Sequence, residues 1–117
     1  MKLRIGIPTK GHDGMEDMVS EVFGKAKTFT IVDVENGKIR KVKVIDNPAA
    51  SYEYGSGPIV AKTFVDLKVD AVISGRLGPG ASKLLEHHGI KQISVSPAKK
   101  VANVIEDVRT EIESKQS

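Results

Sequence analysis

Apolar and polar positions alternate along this chain at two periods, and the two periods divide it into strands and helices. Residues 2–8 form a short apolar run with Leu3, Ile5 and Ile7 on one face, stopped by Pro8, which predicts a first strand. Residues 28–35 and 38–46 are two further β-rich runs separated by Asn36-Gly37. That dipeptide accepts the positive φ angles of a type I′ turn, so the pair predicts a hairpin. Residues 70–74 and 91–95 predict a fourth and a fifth strand. Pro58 opens a helix with the stripe Val60, Ala61, Phe64 and Leu67; a second carries Ala81, Leu84, Leu85 and His88 and stops at Gly89. The second stripe puts His88 in the core and leaves His87 in solvent. Ser96 caps a third helix over 97–113, with Pro97 at its first position and Val101, Val104, Ile105, Val108 and Ile112 as its apolar face.

Residues 9–27 are harder to place. Met15, Met18, Val19, Val22 and Phe23 fall at helical spacing, and Asp13 with Glu16 has capping-box spacing. Glycines at 11, 14 and 24 oppose a long helix. The segment therefore reads as a loop with one or two helical turns.

The order βββαβαβα specifies an α/β sheet. A hairpin followed by two right-handed crossovers gives a five-stranded mixed sheet in the order 3-2-1-4-5, with strand 2 antiparallel and helices on both faces. Residues 1–117 read as a single domain. The loops 9–27, 47–57 and 75–80 then leave the same end of the sheet, where strand order reverses, and open α/β sheets bind ligands there. Two of these loops feed helix N-termini, which favour anions. Gly55, Gly57 and Gly78 are expected to line one shared cleft, with Lys10, Ser56 and Arg76 as ligand contacts. Neither glycine loop matches a dinucleotide or P-loop pattern.

Composition narrows the function. The 117 residues contain no cysteine, which excludes disulfides, a thiolate nucleophile and cysteine-ligated clusters. Formal net charge is +3, with nine basic and seven acidic residues in 1–50 and nine and eight in 51–117. That balance speaks against nucleic-acid or membrane partners. The one basic concentration, Lys38, Arg40, Lys41 and Lys43, reads as protection of an edge strand. Without a signal peptide or a spanning segment, the expected location is the cytoplasm. Ser20, Ser56 and Ser74 have no base that the sequence places beside them, and no enzymatic constellation emerges.

The loop motifs carry a family resemblance. Ser20-Glu-Val-Phe-Gly-Lys-Ala26 with Phe29 and Ile31, then Asn47-Pro-Ala with Gly55-Ser-Gly57, then the run from Asp70 to Gly75, and Gly78-Pro79 with Gly89-Ile90 occur in colinear order over residues 2–96. This set resembles the dinitrogenase iron–molybdenum cofactor biosynthesis family, the NifX-like and NifB C-terminal domain. The resemblance implies a ribonuclease-H-like three-layer α/β fold. It also implies non-catalytic carriage of an iron–sulfur-based cluster, a cluster-assembly protein as partner, and a monomer or weak homo-oligomer. The cluster-binding residues it marks, together with the loop reading, are Lys10, His12, Ser20, Phe23, Gly24, Asn47, Tyr54, Gly55, Ser56, Gly57, Gly75, Arg76 and Gly78. His12 is the candidate metal ligand, because relatives often have histidines where this chain has Val22, Tyr52 and Tyr54. The alternative is a regulatory or interaction domain using the same cleft for a small anion or for no ligand. A ribonuclease-H-type nuclease is excluded, since the first strand lacks the carboxylate that helps hold its metal ions.

Overall fold

Asn36 and Gly37 adopt φ angles of 52° and 80°. They join β2 (Thr28–Glu35) to β3 (Lys38–Asp46) in the antiparallel hairpin expected of a type I′ turn. The computed structural model describes residues 2–52, 55–96 and 99–114, with 109–114 as helical backbone. β2 pairs antiparallel with β1 (Lys2–Thr9) along its whole length. β4 (Ala71–Ser74) lies parallel to β1 on its other side, and β5 (Lys91–Ser94) parallel to β4. The sheet order is β3-β2-β1-β4-β5, as the sequence pattern predicts.

Side-chain alternation along β1 separates two cores. Leu3, Ile5 and Ile7 join Val32, Val34 and Ile73 beneath α3 (Val101–Ser114), which presents Val101, Val104, Ile105 and Val108. On the opposite face, Phe29, Ile31 and Val72 pack against Val60, Ala61 and Phe64 of α1 (Ser56–Asp66) and Leu85 of α2 (Pro79–His87). The result is three layers, α3 on one side and α1 with α2 on the other. Gly6 sits under Phe64, where a Cβ would lie 2.5 Å from the ring.

Arg4 closes the second core at the amino end of β1. Its Nε donates to Asp33 Oδ1 at 2.8 Å and its Nη1 to the Leu67 carbonyl at the end of α1, also at 2.8 Å. The hydrogen bond and charge of Asp33, with the field of Asp70, raise the Arg4 pKa above its ordinary value.

Four expectations are corrected. His88 is exposed, as is His87: α2 ends at His87, so His88 leaves the helical phase, and Leu85 and Ile90 fill the core instead. α3 begins at Val101, because Lys100 is engaged in a bridge to Met18 and Val19 N–H donates to the Lys99 carbonyl; the Pro97 position lies outside the described residues. α1 starts at Ser56, two residues before Pro58, after Gly55 in a left-handed conformation. Asp13 and Glu16 do not form a capping box around the 3-10 turn Gly14–Glu16. The organising carboxylate is buried Asp17, which accepts from the backbone N–H of Gly11, Asp13 and Met18 at 2.9, 3.3 and 2.7 Å.

Among the described residues, no helix is long and apolar enough to cross a membrane.

Candidate functional site

The loop leaving β1 is held in place by backbone pairing. Ser20 N–H donates to the Pro8 carbonyl at 2.9 Å, and Val19 bridges Thr9. Beyond this point the chain runs beside the segment that leaves β4. Val22 and Arg76 form a parallel bridge, with Phe23 N–H donating to the Arg76 carbonyl and Arg76 N–H to the Glu21 carbonyl, both at 3.1 Å. Gly75 permits that approach, since a Cβ there would stand 3.0 Å from the carbonyl oxygens of Ser20 and Glu21.

A 3-10 turn, Phe23–Lys25, then drops Phe23 into the core at 5.7 Å from the Phe64 ring. The turn sets Gly24 directly on the first residues of α1. Asn47 braces it from below, donating to the carbonyls of Ala26 at 2.7 Å and Gly24 at 3.3 Å while its own oxygen accepts from Ala49 N–H. Asn47 is buried, so it positions the turn rather than facing outward.

These three loops enclose a cleft of about 270 Å³, lined by Val22, Phe23, Gly24, Lys25, Ser56, Gly57, Arg76 and Gly78. It sits at the carboxyl ends of β1 and β4, the place where strand order reverses. The first residues of α1 form one wall, and Gly78, the N-cap of α2, forms another. Neither helix has a side-chain cap, so first-turn N–H groups are left to other acceptors. Among the described residues, two cations and no carboxylate line the cleft, and the exposed Arg76 side chain has no partner. The Lys25 ammonium donates to the Tyr52 carbonyl. The cleft therefore offers N–H donors, one hydroxyl and positive charge, a set suited to an anion. Among the described residues that line it, there is no imidazole, thiolate or carboxylate.

Of the residues marked from sequence, Phe23, Gly24, Ser56, Gly57, Arg76 and Gly78 come together here. Lys10 pairs instead with Glu21 at 3.7 Å. His12 is turned toward the hairpin edge, its Nε2 2.7 Å from Asp46 Oδ1. Ser20 is buried and donates to the Val22 carbonyl, Gly75 is buried behind the bridge, and exposed Gly55 adjoins the cleft as the N-cap of α1. Tyr54 lies outside the described residues. Val22 and Lys25 were missed as lining residues, although both flank the Phe-Gly pair that marks the turn. Among the described residues, no group of three metal-ligating side chains comes together.

Comparison with known proteins bears on what this cleft is for. A family model described as dinitrogenase iron-molybdenum cofactor matches residues 1–111. An uncharacterized protein of Methanocaldococcus jannaschii is 33% identical over 72 residues, 62% of this chain and 61% of that protein's own length. A proposed NifB protein of Thermotoga, solved by NMR, is 32% identical with a TM-score of 0.73 over 93% of this chain and 88% of that one. The apo form of the orange protein from Desulfovibrio gigas superposes with a TM-score of 0.83 over 94% of this chain and 89% of that one. Its identity is 23%, so it testifies to the fold.

Proposed function

Because the chain belongs to the dinitrogenase iron-molybdenum cofactor family, we propose that its cleft carries a preassembled, anionic metal–sulfur cluster as cargo, without transforming it. The observation that supports this most directly is the cleft's lining, which has the Arg76 and Lys25 cations and two helix starts but, among the described residues, no side chain that ligates a soft metal. A cluster already saturated by sulfide and carrying net negative charge fits such a lining. A bare metal ion that needs protein ligands does not. In this reading Arg76 supplies a fixed charge, and the N–H groups and the Ser56 hydroxyl supply hydrogen bonds to sulfur. The turn Phe23–Lys25 sets the width of the opening. Cargo would be received from, and passed to, a cluster-assembly protein.

The test is anaerobic loading with a soluble anionic iron–sulfur cluster, followed by desalting and measurement of retained iron. Wild type is expected to retain cluster, and Arg76→Gln to retain about tenfold less, in keeping with loss of a charge-assisted contact. Equal retention by both proteins would remove the cleft from the account. Complete displacement of the cluster by millimolar phosphate would favour the second reading, a general small-anion site in a regulatory domain.

A further inference from the structure

The opposite end of the sheet holds a larger cavity, of about 520 Å³, among the start of β1, the β2–β3 turn region and the α1–β4 connection. Its floor is the Arg4–Asp33 pair, and Asp70 accepts the Arg4 backbone N–H at 2.8 Å. Around that floor stand Lys2, Arg40, Lys41 and Lys68, all exposed and none with a side-chain hydrogen bond or ion pair among the described residues. Once Arg4 and Asp33 are set against each other, the described lining leaves four cations beside two carboxylates, Glu35 and Asp70. Protection of an edge strand accounts for Arg40 and Lys41 but not for Lys2 on β1 or Lys68 after α1. Lys68 carries a second signal. It adopts φ 59°, at a helix end where Val69 N–H reaches back to the Phe64 carbonyl. Glycine suits that position, and lysine is held there against its backbone preference. Arg40 is also displaced from regular pairing, since the register jumps between Asp33 and Val34, whose partners are Lys41 and Ile39.

We propose that this cavity is a second binding site, independent of the cleft, for a small multiply charged anion whose charge sits on phosphate groups. The volume falls within the range of small-molecule sites. Four converging cations call for more charge than one carboxylate supplies, and a phosphate group brings about −1.5 to −2 at neutral pH. Arg40 provides a planar fork for phosphate oxygens, and the three lysines act as point charges.

The experiment is an amide NMR titration of the full chain with inorganic tripolyphosphate at low salt, with citrate and poly-glutamate as comparisons. Saturable shifts are expected at Lys2, Arg40, Lys41 and Lys68, fading as salt is raised, while the amides of Gly57 and Gly78 stay still. Lys68→Gly removes one cation and relieves the backbone, so affinity should fall about tenfold while Tm holds or rises. Arg40→Gln should weaken binding similarly. Unsaturable shifts scattered over all lysines, unchanged affinity in Lys68→Gly, or shifts confined to the cleft would each overturn the proposal. Citrate binding as tightly as tripolyphosphate would overturn the phosphate assignment, and saturable binding of poly-glutamate alone would overturn the small-molecule one.

Discussion

Gly24 lies so close to Ser56 that a Cβ on the glycine would stand 2.6 Å from the serine hydroxyl oxygen and 2.7 Å from the Gly57 nitrogen. The turn after β1 and the first turn of α1 are thus fitted to each other without room for a methyl group. Gly24→Ala is expected to push them apart, at a cost of about 1–3 kcal/mol in overpacking. Chemical denaturation would show the loss as a lower midpoint. Cluster retention should fall in the same variant even under conditions where it remains folded. An unchanged midpoint would mean that the turn is freer than its packing implies.

The same reasoning applies deeper in the fold, at Gly6 beneath Phe64. A Cβ at Gly6 would lie 2.5 and 2.6 Å from two ring carbons that are fully buried against Phe29, whose ring centroid is 4.8 Å away. Gly6→Ala should destabilise by about 1–3 kcal/mol. Pairing it with Phe64→Leu, which vacates part of the ring's volume, should cost less than the sum of the two single changes. A double-mutant cycle by thermal or chemical denaturation measures that coupling. Strict additivity would contradict the contact.

Much of this arrangement is legible in the sequence, because strand period, the Asn36-Gly37 turn and the helix stripes all point to one topology. The loop 9–27 is legible only in part. Met15, Met18, Val19, Val22 and Phe23 have helical spacing, yet Val19 and Val22 are engaged in bridges and Phe23 enters the core from a 3-10 turn. Their apolar character reflects three separate partners, namely β1, the segment after β4, and Phe64. Local periodicity has no means of telling one shared face from several distant ones. The same limit explains His88, whose position on the stripe is overridden by the end of α2 one residue earlier. The role of Asp17 as acceptor of three backbone N–H groups was not legible in the sequence, since it depends on how the loop closes.

Asp17 therefore supplies a third prediction. Asp17→Ala leaves the N–H groups of Gly11, Asp13 and Met18 without their acceptor. A cost of about 1–3 kcal/mol is expected, with faster amide exchange confined to this loop and to the Lys99–Lys100 segment that Met18 and Val19 bind. Asp17→Asn, which keeps one acceptor oxygen, should recover part of the loss. Uniform exchange across the molecule would show that the carboxylate does not act locally.

Arg4 predicts a pH independence. Its pKa is raised by Asp33, so its folded value lies above the unfolded one. The stability that the guanidinium contributes is then fully present below the unfolded arginine range and is lost only as pH rises through the folded value. Arg4→Met should lower stability by about 1 kcal/mol, the ion pair being partly exposed. Between about pH 7 and about pH 10 this difference should stay constant. Urea titrations of both proteins at those two limits check it, and a difference that shrinks across the interval would contradict the assignment.

The last prediction concerns Val22, which lines the cleft at the position where relatives are expected to carry histidine. Valine has no lone pair, so under the proposed carrier function cargo in the wild type would be held by charge, N–H groups and the Ser56 hydroxyl. Val22→His would place an imidazole, a suitable iron ligand, at that wall. Iron retained after desalting should rise in Val22→His, and the rise should weaken as pH falls and the imidazole is protonated. Wild-type retention should lack that pH response. His12→Ala should change retention in neither protein, because the His12 ring is turned to Asp46 and is not among the residues lining the cleft. If His12→Ala instead emptied the wild type, the cargo would sit toward the hairpin edge, and Arg76 would no longer be its anchor.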